Sequence, residues 1–139
     1  MKRATALVVL LLAATPLLAA DATEEVRKTE AAFAKAFADR DRDRFFAADA
    51  HFLGRRTLNG KKEVVEVWSA YFQPAIAPFS WKPERVVANA AANLGFSTGP
   101  VFDPAGKQIG TFTSTWQKQR NGSWKIIFDG GSECPEGTK

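Results

Sequence analysis

The sequence predicts an α+β domain in which helices lie over the aromatic face of an antiparallel sheet. Three observations predict it. Apolar residues recur at helical spacing in the first half, the period switches to two after Pro78, and the last two strands pair an aromatic face with a polar one. Thr23 is placed to cap a first helix of about four turns, with Glu24 and Glu25 in its first turn and Val26, Phe33 and Phe37 on one face. The charged run at 39–44 interrupts that pattern, and Phe45 and Phe46 open a short second helix ending around Ala48. A brief extended piece at 51–54 comes after it. Asn59-Gly60 punctuates the chain, and Val64, Val67, Trp68, Tyr71 and Phe72 then repeat at i, i+3, i+4, i+7 and i+8. That third helix must stop before Pro74, which lacks a backbone donor and restricts its neighbour.

Residues 81–89, 93–102, 107–120 and 123–128 read as four strands separated by turn residues. Asn121-Gly122 predicts a hairpin with a type I′ turn between the last two. Alternation puts Phe112, Ser114 and Trp116 on one side with Trp124, Ile126 and Phe128, and Thr111, Thr113, Thr115 and Gln117 opposite. By the same parity Asp129 faces away from the aromatic side, and Arg85 goes with Trp81 and Val87.

Composition bounds the rest. The 139 residues allow a single domain, and eleven Phe, four Trp and one Tyr promise a filled core or an aromatic-lined cavity. Lys2 and Arg3 precede an apolar run at 4–14, with small residues at Ala19, Ala20 and Ala22, which is the pattern of a secretory signal peptide. Cleavage is expected after Ala22 or Ala20. The expected organisation is a leader over 1–22, one domain over 23–133 and a tail over 134–139, with a secreted or periplasmic location in a bacterium. Without Lys2 and Arg3 the basic count falls from 19 to 17 against 15 acids, so the net charge drops from +4 to +2. That argues against nucleic acid, which wants a concentrated basic stripe. No other stretch approaches the roughly 20 apolar residues a membrane span needs, so no membrane association is expected after cleavage. Cys134 is the only cysteine, which excludes an internal disulfide.

The order of two helices, a short strand after Ala48-Asp49-Ala50, a helix beginning Leu58-Asn59-Gly60-Lys61-Lys62-Glu63, and a hairpin from Thr113-Ser114-Thr115-Trp116 to Asn121-Gly122-Ser123-Trp124-Lys125-Ile126 resembles the nuclear transport factor 2-like superfamily. It is most similar to secreted bacterial ketosteroid-isomerase homologues and polyketide-cyclase-like (SnoaL-like) domains. The resemblance implies a cone, as in cystatin-like folds, in which a curved antiparallel sheet wraps about three helices around a pocket, with a homodimer packed through the sheet. It does not imply one activity, because the superfamily holds isomerases, dehydratases, hydrolases and binding modules. Ketosteroid isomerases stabilise an enolate with a buried Tyr and a protonated carboxylic acid. Here the sole tyrosine, Tyr71, is on the third helix, and the first carries Phe33 and Phe37 instead, so steroid isomerisation is not carried over.

Polyketide-cyclase-like members are similar in using a His and an Asp for proton transfer. His51, the only histidine, is the corresponding candidate base, with Asp49 or Asp129 as partner. Its other reading is a solvated or locally hydrogen-bonded residue at a strand edge. Gly95-Phe96-Ser97-Thr98-Gly99 matches a nucleophile-elbow pattern, but Pro100 and Pro104 forbid the helix such an elbow needs. Asp39, Asp41 and Asp43 start like a calcium loop, but Arg44 and Ala50 stand where its Gly and bidentate Glu belong, and no metal or other cofactor is expected. A cystatin-like inhibitor lacks its disulfides and binding loop here. The pocket is assigned to Trp68, Tyr71, Phe96, Trp116 and Trp124, with Ser114 and Arg85 as polar groups. Its expected occupant is a small apolar or aromatic molecule, and an inward Arg85 favours an anionic one. Any chemistry is expected to be cofactor-free proton transfer or lyase-type, with Arg85 or Tyr71 at a developing oxyanion. The competing expectation is a dimerisation module whose aromatics fill its own core.

Overall fold

A computed structural model describes residues 15–47, 51–54 and 56–134. The leader's apolar run, the end of the second helix at Ala48, the Ala48-Asp49-Ala50 segment and the tail beyond Cys134 lie outside the described residues. Helix α1 spans Thr15–Ala38, α2 Arg42–Phe45 and α3 Gly60–Trp68, the last continued by a 3-10 turn over Ser69–Phe72. The strands are β1 (His51–Leu53), β2 (Thr57–Leu58), β3 (Ser80–Trp81), β4 (Arg85–Ala88), β5 (Leu94–Phe102), β6 (Gln108–Lys118) and β7 (Trp124–Glu133). They form one seven-stranded sheet in the order β2-β1-β7-β6-β5-β3, with β4 also paired to β5.

Helix α1 is already formed at Thr15, and both Thr23 and the candidate cleavage positions fall within it. Thr23 is therefore not a cap. Its hydroxyl donates to the Ala19 carbonyl at 2.8 Å and accepts from the Ala88 N–H at 2.9 Å, fastening α1 to β4. The buried stripe runs Ala22, Val26, Glu30, Ala34, Phe37, advancing by three or four residues as a helix face requires. Its first half packs on Ala88, Trp116, Trp124 and Ile126. Close approach depends on Gly95, where a β-carbon would stand 2.4 Å from Val26 Cγ2. Its second half joins Phe45, Phe46, Leu58 and Trp68 in an aromatic cluster. There Phe37 stacks on Phe79 with centroids 4.7 Å apart, and Phe33 on Phe45 at 4.6 Å.

Helix α1 stops where Arg40 takes a left-handed φ of 63°, and the N–H groups of Arg40 and Asp41 bond back to Phe37 and Ala36. A non-glycine residue there is held by its side chain. The Arg40 guanidinium lies over the rings of Phe37 and Phe72 and donates to the carbonyls of Phe37 and Tyr71, so the end of α1 grips the turn that carries Tyr71.

The sheet departs from expectation in several places, and one of them is the short strand β2, which pairs antiparallel with β1. β1 runs parallel to β7, so the sheet is mixed rather than wholly antiparallel. The single strand expected at 81–89 is two, β3 and β4, because Pro83 cannot donate to the ladder. The hairpin at Asn121-Gly122 forms, but only Gly122 has positive φ, at 85°. The turn closes through Gly122 N–H to the Gln119 carbonyl at 2.9 Å, a turn with Arg120 and Asn121 at its centre, rather than type I′. Finally, β7 continues to Glu133 instead of ending at Phe128, and the added residues form one wall of an internal cavity.

Candidate functional site

Between α3 with its 3-10 extension and the inner face of the sheet lies a cavity of about 560 Å³. Trp68, Tyr71, Phe79, Trp81, Phe112, Val101 and Ile109 make most of it apolar and aromatic. The polar residues in its wall are Arg56, Thr111, Asp129, Ser132 and Glu133. Size and lining suit a small, mainly apolar molecule oriented by a few polar contacts.

Asp129 reaches this cavity because of a β-bulge. Trp116 pairs with Ile126, but the next residue back, Thr115, pairs with Phe128, so Ile127 is an extra residue on β7. One extra residue exchanges the faces of everything beyond it. Trp124 and Ile126 point inward and are buried, whereas Phe128 turns out to 48 % exposure and Asp129 turns in beside Ser114. This corrects the simple parity that sent Asp129 outward. Asp129 Oδ1 accepts hydrogen bonds from Ser114 Oγ and from the Gly130 N–H, each at 3.0 Å. Enclosure raises its pKa from the ordinary 3.8 to about 7, the Glu30 carboxylate adds to the rise, and the two hydrogen bonds oppose it. On its other side a void of about 20 Å³ separates Asp129 from Phe33, Phe45, Phe46 and Val64. A carboxyl poised near neutrality can donate a hydrogen bond when protonated and take a proton when ionised.

Glu30 is a second acid that the sequence reading passed over. It is fully buried. Its Oε1 accepts from Trp81 Nε1 at 2.9 Å, and its Oε2 accepts from Ser97 Oγ at 2.6 Å and Trp116 Nε1 at 2.9 Å. The signal was its position, four residues after Val26 and three before Phe33, in the middle of the stripe already identified as buried.

The residues singled out from sequence separate into three groups. Trp68 and Tyr71 line the cavity. Ser114, Trp116 and Trp124 face inward and are buried, but they are not in the cavity wall. Ser114 meets the cavity only through Asp129, Trp116 is bonded to Glu30, and Trp124 Nε1 donates to Glu25 Oε2 at 2.8 Å. The Lys118 ammonium and that bond hold the Glu25 carboxyl below its ordinary pKa. His51, Arg85 and Phe96 lie on the opposite, outer face. Val87, Phe96, Thr115, Phe128 and His51 are successive partners across β4, β5, β6, β7 and β1, so they share one row, and His51 is exposed with its ring 6.0 Å from that of Phe128. Arg85 shares the outward side with Val87 because residues 82–84 reset the phase between β3 and β4, leaving Val86 and Ala88 to face inward. Among the described residues no group of three or more His, Cys, Asp or Glu is placed to hold a metal ion, and no helix is long and apolar enough to cross a membrane.

Solved structures with this arrangement of helices and sheet decide the fold. A nuclear transport factor 2-like protein of unknown function from Pseudomonas putida superposes with a TM-score of 0.66 at 18 % identity, covering 86 % of this chain and 91 % of its own. The chain has the nuclear transport factor 2-like fold. A DUF3225-family protein of unknown function from Pectobacterium atrosepticum gives 0.66 at 17 % identity over 83 % and 92 % of the two chains. A ketosteroid isomerase-like protein from Erwinia carotovora atroseptica gives 0.58 at 20 % identity over 81 % and 94 %. No protein-family model and no curated protein matches the sequence. At these identities the nuclear transport factor 2-like cone is what is shared, and the chemistry of the cavity has to be argued from this chain's own residues.

Proposed function

We propose that this protein is an exported binding domain for a small apolar or aromatic molecule, with Asp129 as the group that exchanges a hydrogen bond or proton with it. The observation that carries this is a near-neutral acid in the wall of a mainly apolar cavity. An open volume of about 560 Å³ argues against a core filled by its own aromatics. Arg56, which takes no ion-pair partner among the described residues, favours an anionic group on the ligand. Where the ligand is converted, the chemistry is cofactor-free proton transfer or lyase-type, with Asp129 rather than His51 as base and the Tyr71 hydroxyl available to a developing oxyanion. Native mass spectrometry of protein purified from the periplasm tests this. A reproducible small-molecule mass is expected, weakened in Trp68→Ala and unchanged in His51→Ala. Protein that is empty and refuses every apolar candidate added back would overturn it.

A second copy of the chain is the proposed partner of the outer sheet face. Leu53, Val87, Leu94, Phe96 and Phe128 are 38–57 % exposed there, an apolar patch of the kind association covers. Sedimentation should give a dimer that Phe96→Asp converts to monomer. A wild-type monomer at high concentration would contradict this.

A further inference from the structure

Two acids of this domain, the buried Glu30 and the half-buried Asp129, stand at the ends of a row that holds two buried serines. On the inner face Ser97 of β5 stands directly opposite Ser114 of β6, and Ser114 directly opposite Asp129 of β7. Ser97 and Ser114 are 0 % and 1 % exposed. Each hydroxyl is committed to the acid at its own end: Ser97 Oγ donates to Glu30 at 2.6 Å, and Ser114 Oγ to Asp129 at 3.0 Å. With both protons directed outward, the serines cannot pass a proton between the acids. What crosses the row is charge. Two strand spacings, on the order of 10 Å, separate Ser97 from Asp129, and Ser114 between them is buried.

We propose that Glu30 is a positioning residue for Asp129: across the row of Ser97 and Ser114 it sets a second carboxylate behind the acid that faces the cavity, and its charge acts on that acid. This rests on the assignment of Asp129 as the acid of the cavity. Glu30 acts by repulsion at a distance, disfavouring a second negative charge, and Ser114 acts in the opposite sense by donating to the ionised form. The directions of both influences agree with the raised pKa of Asp129. Other charged or titratable groups facing the same cavity are Arg56 between β1 and β2, Tyr71 on the 3-10 turn and Glu133 on β7. Of these, Arg56 would oppose the rise and Glu133 would add to it; desolvation of Asp129 is its larger cause, and Glu30 adds to it from the side of α1.

The test is the titration of the Asp129 carboxyl carbon by NMR on the whole, ligand-free protein. In Glu30→Gln the side-chain carbonyl can keep the Trp81 indole, and the new amide can donate to Ser97 Oγ, which already accepts from Trp116 at 3.2 Å. The Asp129 midpoint is expected to fall by roughly half a unit to one unit. In Glu30→Asp, which retains the charge, it should stay within a few tenths. A folded Glu30→Gln with the wild-type midpoint would overturn the proposal. Should that variant not fold, Ser114→Ala carries the test. Its midpoint must rise, and an unchanged or lower one overturns the row. Because no ligand is present, a shifted midpoint in a protein that binds nothing would sink the binding reading alone, while ligand binding with an unmoved midpoint would sink the row alone.

Discussion

Glu30→Ala is expected to lose on the order of 3–5 kcal/mol of folding stability, a large part of what a domain of this size has. The variant leaves the Trp81 indole N–H and the Ser97 hydroxyl without their acceptor and the Trp116 indole with only its 3.2 Å bond to Ser97 Oγ. An orphaned buried donor costs roughly 1–3 kcal/mol, and the missing side chain adds a void. Glu30→Gln should lose less than half as much, since amide and serine can re-pair. Urea denaturation of the three proteins measures both differences. An alanine variant within about 1 kcal/mol of wild type would mean that water reaches this cluster and that it does not organise the sheet against α1.

Asp129→Asn is expected to stabilise the protein in alkali and to do nothing in acid. Asp129 titrates near 3.8 when unfolded and near 7 when folded. Between those values the folded state holds a proton that the unfolded state has released. The stability tied to that proton is fully present below the unfolded value and is lost as pH rises through about 7. Asparagine cannot ionise, and its carbonyl can keep the bonds from Ser114 and Gly130. At pH 8 the variant should therefore exceed wild type by about 2–4 kcal/mol, and near pH 4 the two should coincide. Thermal unfolding across pH checks this, with the other carboxylates cancelling in the difference. Parallel profiles would mean that Asp129 is not enclosed. The same substitution should abolish any turnover that passes through the cavity acid.

The chain order of helices and strands was legible because amphipathic helices and a meander of strands write their periods into the sequence locally. Phe33, Phe37, Trp68 and Tyr71 were assigned to the inside from spacing alone, and they are there or in the cavity wall. The features that escaped are set by events between strands. The bulge at Ile127 leaves the alternation of Trp124 and Ile126 intact and reverses only the residues beyond it, so Phe128 and Asp129 were given each other's faces. Pro83, inside the stretch that reads as one strand over 81–89, splits it into β3 and β4 and resets the phase, which turns Arg85 outward. His51 is offered as a base by the resemblance to polyketide-cyclase-like domains, and the structure places it on the outer face. Parallel pairing with Phe128 fixes its direction, and that register depends on β7 continuing through Gly130 and Gly131, residues that look like a turn in isolation. Glu30 is a charged residue in the middle of an apolar stripe, and its burial follows from that place and not from its residue type.

Chemical-shift mapping with a small apolar probe such as 2-naphthol separates the inner and outer faces of the sheet most directly. Backbone amides of Tyr71, Thr111, Gly130 and Gly131 around the cavity should shift in a saturable way, and those of His51, Arg85 and Phe96 should not. Shifts confined to the outer-face residues, or none at all, would contradict an open cavity served by Asp129.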